Sequence, residues 1–231
     1  MTKLHKVPEP VRAVLFDMDG ILYDSMPGHA KAWLAMCRDN GIDADFDEFF
    51  AYEGRTGAST INLLFRRQFG RDASEEEVKR LYGVKSANFA ALGPAPLMPG
   101  AQEAVAAVLE AGALPVLVTG SGQASLLTRL ERDFPGAFPA ARRVTAHDVR
   151  YGKPHPEPFL TGLKKAGVDA SEAIAVDNAP LGVRSAAAAG IFTLGVRTGP
   201  LAEGALLDSG ADLEILSMGG CAVFLREALA R

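Results

Sequence analysis

Three short apolar runs, at residues 13–16, 114–118 and 173–176, each stop on polar residues, and that shared ending restricts the fold more than any other feature of the chain. The first runs into Asp17-Met18-Asp19-Gly20, the second into Thr119-Gly120-Ser121 and the third into Asp177-Asn178. Four or five uninterrupted apolar residues suit a strand buried on both faces. On such a strand the acids at i and i+2 project to one side. In a parallel sheet the carboxyl ends share one edge, and a ligand crevice lies just beyond them. A strand-end Thr alone is usually a turn residue, and a lone Asp-x-Asp is usually an acidic turn. Their recurrence at successive strand ends is what points to chemistry, with Lys153 arriving on the loop Gly152-Lys153-Pro154-His155-Pro156.

The remaining pattern agrees with a parallel sheet. From residue 101 onward, helix and strand alternate: helices at 102–111, 124–134, 156–166, 181–189 and 221–230, strands at 114–119, 143–145, 173–177, 191–196 and 212–216. Such alternation gives a parallel sheet with right-handed crossovers. Residues 26–95 break the rhythm. Ser25 stands as an N-cap with Pro27 in the first turn of a helix, and Ala30, Trp33, Leu34 and Cys37 form its apolar stripe. A short helix around Phe46, Phe49 and Phe50, a second capped by Ser59, and a third opened by the capping box Ser74-Glu75-Glu76-Glu77 follow. The piece 21–25 reads as a small flap over the crevice. The expected division is an α/β core, residues 1–25 and 96–231, with an inserted α-helical cap at 26–95.

Composition limits the function classes. The 231 residues suit one large domain or a core with a smaller insert. A net charge of -4 speaks against nucleic acid or an anionic membrane surface as partner. Cys37 and Cys221 lie far apart with no metal-ligand spacing, so zinc is not expected and a reducing compartment is. The first ten residues hold no apolar signal core, and no apolar run reaches the ~18–20 residues of a membrane span. A cytoplasmic protein, monomeric or weakly dimeric, is the expectation.

Four motifs in order, D-M-D-G-I-L-Y-D-S from Asp17, V-L-V-T-G-S ending at Ser121, K-P-H-P-E-P-F from Lys153 and V-D-N-A-P-L-G-V around Asp177, resemble the haloacid dehalogenase-like (HAD) hydrolase superfamily. The insert after the first motif, with His29 and Trp33 behind Asp24-Ser25, is similar to its β-phosphoglucomutase-like subfamily. The resemblance implies a Rossmann-like parallel sheet and a phosphoryl-transfer site. Asp17 would be the nucleophile, forming an aspartyl-phosphate. Asp19 would be general acid, then general base. Thr119, Lys153 and the backbone at Gly120 and Ser121 would hold phosphoryl oxygens. A carboxylate meeting a phosphate dianion is repelled by roughly 4 kcal/mol per charge pair at ~4 Å and an effective dielectric near 20. The implied Mg²⁺, on Asp17, Asp19, Asp177 and Asn178, would offset that repulsion. His29, Arg55 and Thr56 are the candidate cap residues for substrate.

Two departures from the family pattern matter. The fourth motif usually reads Glu-Asp and here reads Asp177-Asn178, one negative charge fewer, so weaker Mg²⁺ binding is expected. The mutase-like cap loop reads Gly-x-Ser-Arg, whereas Gly54-Arg55-Thr56-Gly57 puts glycine where the cation belongs. A phosphatase acting on a small phosphorylated metabolite, such as a sugar phosphate, is therefore the expected function. A sugar-phosphate mutase and a degenerate, non-catalytic phosphate-binding module remain as alternatives. Dehalogenation fits poorly, because a leaving halide has no use for Asp19.

Overall fold

A computed structural model describes residues 6–120 and 124–230. β1 (Ala13–Phe16), β2 (Leu114–Val118), β3 (Arg143–Val144), β4 (Ala173–Asp177), β5 (Phe192–Val196) and β6 (Leu213–Ile215) form one sheet in the order β3-β2-β1-β4-β5-β6. Every pairing is parallel. β1 lies at the centre, with Phe16 opposite Leu117 on one side and Val176 on the other.

Both faces of the sheet are covered, which is why its strands read as unbroken apolar runs. Val14 and Phe16 pack with α5 (Ala101–Glu110) and α10 (Met218–Leu229), through Val105, Val108 and Leu225. α6 (Ala124–Asp133) contributes Leu130 to the same layer. Ala13 and Leu15 point the other way, onto Phe159 and Leu163 of α7 (Glu157–Ala166) and Ala186 of α8 (Pro180–Ala188). Alternate residues of one four-residue strand therefore seed two cores. Truncating a side chain such as Leu15 to Ala would cost about 2–5 kcal/mol by the cavity it leaves. A short α9 (Ala205–Asp208), which the sequence pattern did not single out, precedes β6.

Between β1 and β2 come α1 (Met26–Asp39), α2 (Glu48–Ala51), α3 (Gly57–Phe69) and α4 (Glu75–Ala91), with no strand among them. They gather round their own apolar cluster, including Met36, Phe49, Ile61, Leu64 and Leu81. The expected box at Ser74 is present: its hydroxyl accepts from Glu77 N at 3.2 Å, and Glu77 Oε2 accepts from Ser74 N at 2.7 Å. Three local readings are corrected. Thr56, not Ser59, caps α3, its hydroxyl accepting from Ser59 N at 3.2 Å. Ser25 precedes α1 but has helical backbone and no capping bond. Residues 21–23 are no flap: Ile21, Leu22 and Tyr23 are buried in the core, and Leu22 N–H folds back on Met18 O at 2.9 Å. No helix among the described residues is long and apolar enough to cross a membrane.

Candidate active site

The sheet's hydrogen bonding runs past β1 into the acids. Asp17 N–H donates to Val176 O at 3.0 Å, which sets Asp17 beside Asp177 where strand order reverses, the switch point of an open α/β sheet. Lys153 closes this pair, its buried ammonium donating to Asp17 Oδ1 at 2.5 Å and Asp177 Oδ2 at 2.7 Å. Asp177 Oδ1 also accepts from Ala179 N at 3.0 Å. The start of α8 comes so near that a Cβ on Gly182 would lie 2.0 Å from Asp177 Oδ2. Two carboxylates thus share one ammonium. Burial pushes Asp17 up to about 7; Lys153 pulls it down, while Asp177 and Asp19 push it further up. Burial disfavours the charged ammonium too, but Asp17 and Asp177 outweigh it and hold Lys153 charged.

Asp19 lives in a different environment. Ser25 Oγ donates to its Oδ1 at 2.6 Å, and His29 Nε2 stands 3.5 Å from the same oxygen. Burial works against its charge, yet the bonds from His29 and Ser25 and the field of Lys85 win and hold it below the usual carboxylate range. His29 is itself oriented: its ring stacks on Phe89 at 3.9 Å, and Lys85 Nζ lies 2.8 Å from Nδ1. An ammonium can only donate, so Nδ1 accepts and the ring proton sits on Nε2, facing Asp19. Lys85 is buried between Trp33 and Phe89, and burial lowers it to about 8 against the pull of Asp19.

Asn178 and Glu53 form the third part of the site. Asn178 Nδ2 donates to Glu53 Oε2 at 2.7 Å, joining strand end to insert across 125 residues of sequence. The other oxygen of each, Asn178 Oδ1 and Glu53 Oε1, is buried without a hydrogen-bond partner. Burial raises the Glu53 carboxyl well above its ordinary value, and Asp17, Asp177 and Asp19 add to the effect. Gly20 makes room, since a Cβ there would stand 2.2 Å from Asn178 Nδ2. Asp17, Asp19, Glu53, Lys85, Lys153 and Asp177 line a cavity of about 300 Å³ between the strand ends and the insert.

The structure brings Asp17, Asp19, Lys153, Asp177 and Asn178 together, with Thr119 and Gly120 on the same wall. Ser121 lies outside the described residues. His29, Arg55 and Thr56 also line the cavity, but each is engaged: His29 with Asp19 and Lys85, Thr56 as the cap of α3, and Arg55 through Nη1 to Ser59 Oγ at 3.2 Å. Sequence reasoning missed Glu53 and Lys85. Glu53 stands next to the Gly54-Arg55-Thr56-Gly57 loop, and the charge absent at Asn178 was the signal to seek a carboxylate elsewhere. Lys85 had no comparable signal; it is one polar residue on an amphipathic helix.

Among the described residues no three acids or imidazoles form a ready-made cation cage. A hard divalent cation nonetheless suits this donor set. Oxygen ligands are in excess over positive charge, and two buried oxygens, on Asn178 and Glu53, accept nothing. Asp17, Asp177, Asn178 and Glu53 are the side chains that could hold it.

Comparison with known proteins gives a family and its range. The family model for haloacid dehalogenase-like hydrolases matches residues 11–190. Hexitol phosphatase B of Escherichia coli (strain K12) is 31% identical over 188 residues, 79% of this chain and 82% of that protein. Glycerol-1-phosphate phosphohydrolase 2 of Saccharomyces cerevisiae is 29% identical over 235 residues, 94% of this chain and 82% of that protein. A solved structure from Bacteroides vulgatus, provisionally assigned as a β-phosphoglucomutase, is 48% identical and superposes with a TM-score of 0.89, covering 96% of this chain and 91% of that one.

Proposed function

The chain belongs to the haloacid dehalogenase-like hydrolases, and we propose that it is a Mg²⁺-dependent phosphatase of a small phosphorylated sugar or polyol, working through an aspartyl-phosphate on Asp17. One observation carries this reading: two acids spaced i and i+2 are held in opposed environments, Asp17 by Lys153 and Asp19 by Ser25 and His29. Their partners divide the roles: an ammonium fixes Asp17 for attack, and a hydroxyl and an imidazole hold Asp19 for proton transfer, although in the free protein Asp17 is the raised carboxyl and Asp19 the lowered one. The phosphatases among the relatives and the small cavity support the substrate class.

In this mechanism Lys153 fixes the Asp17 carboxylate and balances charge on the phosphoryl group. An Asp17 oxygen bonds to phosphorus as the ester P–O bond breaks, and Asp19 gives its proton to the leaving oxygen. Asp19 is ionised in the free protein; a phosphate dianion beside it raises it, making the acid form available. Water then attacks phosphorus, Asp19 takes its proton, and phosphate leaves with the Asp17 carboxylate restored. Thr119 and the Gly120 backbone hold phosphoryl oxygens. When bound, Mg²⁺ supplies the positive charge that lets Asp17 ionise and a dianion approach it.

The test is a screen of phosphorylated sugars and polyols with Mg²⁺, reading released phosphate, with Asp17→Asn as control. Turnover abolished by Asp17→Asn supports the proposal; no turnover on any of them, or turnover surviving the substitution, overturns it. The Bacteroides vulgatus structure favours a mutase as second reading. Arg55, the cap cation closest in sequence to the mutase pattern, is spent on Ser59 and lies 5.9 Å from the Tyr52 ring centre. β-Glucose 1-phosphate with a trace of the 1,6-bisphosphate separates the two: glucose 6-phosphate means mutase, free phosphate alone means phosphatase.

A further inference from the structure

We propose that Glu53 is a cation ligand delivered by the inserted helices, standing in for the carboxylate that the fourth strand end lacks at Asn178, so that binding the cation and seating the insert are one coupled equilibrium. The inference deepens the phosphatase reading and rests on its Mg²⁺ requirement.

The chemistry starts from unsatisfied acceptors. Asn178 uses its amide hydrogens toward Glu53 Oε2, which leaves Asn178 Oδ1 and Glu53 Oε1 buried with no donor. Buried acceptors without donors are costly, and such groups persist where a ligand uses them. Two buried oxygens on hydrogen-bonded neighbours, one an amide and one a carboxyl, suit a hard cation, which takes several oxygens at once. Glu53 also faces Asp17, Asp177 and Asp19, with Lys153 as the ammonium among them. A fourth carboxyl in such company is poorly placed unless positive charge joins it.

The carrier of Glu53 is built to reach the strand ends. Tyr52 ends α2, and the chain turns at Gly54, where a Cβ would lie 3.4 Å from Leu181 Cβ and 3.6 Å from Lys153 Cβ. Phe50, one turn earlier, covers Gly199, so close that a Cβ there would stand 2.8 Å from its ring. The turn bearing Glu53 therefore rests on Lys153, on the start of α8 just after Asn178 and on the loop after β5. Lifting the insert would withdraw one ligand, so the cation would bind more weakly to the open form. By linkage, the cation must then favour the seated form by the same factor.

Mn²⁺ binding, read by loss of the free-ion paramagnetic resonance signal without substrate, tests this on the full chain. Glu53→Gln keeps the shape and removes the charge; it should weaken Mn²⁺ at least roughly tenfold. Asn178→Asp in the Glu53→Gln background returns a carboxylate to the strand end and should regain most of the loss, which a folding defect would not. Trp33, the single tryptophan, packs on Phe49 of α2. Its emission should change on adding Mn²⁺ to the wild type and stay constant in Glu53→Gln and in the double variant, whose cation no longer ties down the insert. Wild-type affinity in Glu53→Gln, no recovery in the double variant, or an unchanged Trp33 response overturns the proposal. Failure of every phosphate ester to turn over would instead remove the phosphatase reading and leave these binding results standing.

Discussion

Ser25 donates its hydroxyl hydrogen to Asp19 Oδ1 at 2.6 Å, although its place just before α1 is that of a helix cap. The turn 18–23 brings the two together, Gly20 N–H reaching Tyr23 O at 2.8 Å. That bond helps to hold Asp19 below the usual carboxylate range. Ser25→Ala should therefore raise the Asp19 carboxyl and shift the limb of the pH–rate profile that Asp19 sets to higher pH. Phosphate release from the best substrate, followed between pH 4.5 and 8, checks the direction; a shift to lower pH contradicts the assignment.

Asp17 contributes to stability with an opposite sign to most carboxylates. Burial pushes it up from 3.8 to about 7, so between those pH values the folded chain binds more protons than the unfolded one. Stability from this group is therefore lost as pH rises through that window and stays lost above it. Asp17→Asn removes the effect at alkaline pH and leaves Lys153 its bond to Asp177. In chelator at pH 8 the variant should melt higher by roughly 2–8 °C, corresponding to about 1–2 kcal/mol, with the gain fading toward pH 4. A variant that melts lower at pH 8 would contradict this.

Gly182→Ala should be more damaging than an ordinary helical glycine substitution, where Ala normally stabilises by up to ~1 kcal/mol. Its methyl group would fall within 2.2 Å of all three carboxyl atoms of Asp177. The carboxylate would have to leave Lys153 and Ala179 N. Loss of Tm together with loss of phosphate release is expected; a more stable, fully active variant contradicts the packing described.

Lys85→Met keeps the apolar stem against Trp33 and Phe89 and removes the donor to His29 Nδ1. His29 loses its fixed tautomer, and Asp19 loses a field that lowers it. The expected outcome is a folded protein with unchanged or higher Tm and phosphate release reduced by roughly 10- to 100-fold. Nitrogen-15 resonances of His29 would show mixed tautomers in the variant and one in the wild type.

Asp17 and Ser25 also mark where sequence reading succeeds and fails. Asp17, Thr119 and Asp177 are legible because each ends a buried run, and strand period plus sheet direction sends all three to one edge. Glu53 is not, because its partner Asn178 lies 125 residues away and its meaning depends on how the insert is seated. Ser25 misleads because a capping serine and an acid-orienting serine look alike until the turn before it is known. Residues 21–23 mislead for a similar reason: their apolar character fits a flap or a core plug, and packing alone decides. Arg55 shows the converse, a cation plausible as a substrate contact that the structure pairs with Ser59.

The central position of β1 has a consequence for synthesis. Its two neighbours begin at Leu114 and Ala173, so a nascent chain holds its first strand with one flank bare until three-quarters of the protein has emerged. Contacts of such span slow folding, and exposed strand edges in partly made chains invite aggregation. Asp17 is therefore translated early, while Lys153 and Asp177, which complete its buried surroundings, follow more than a hundred residues later.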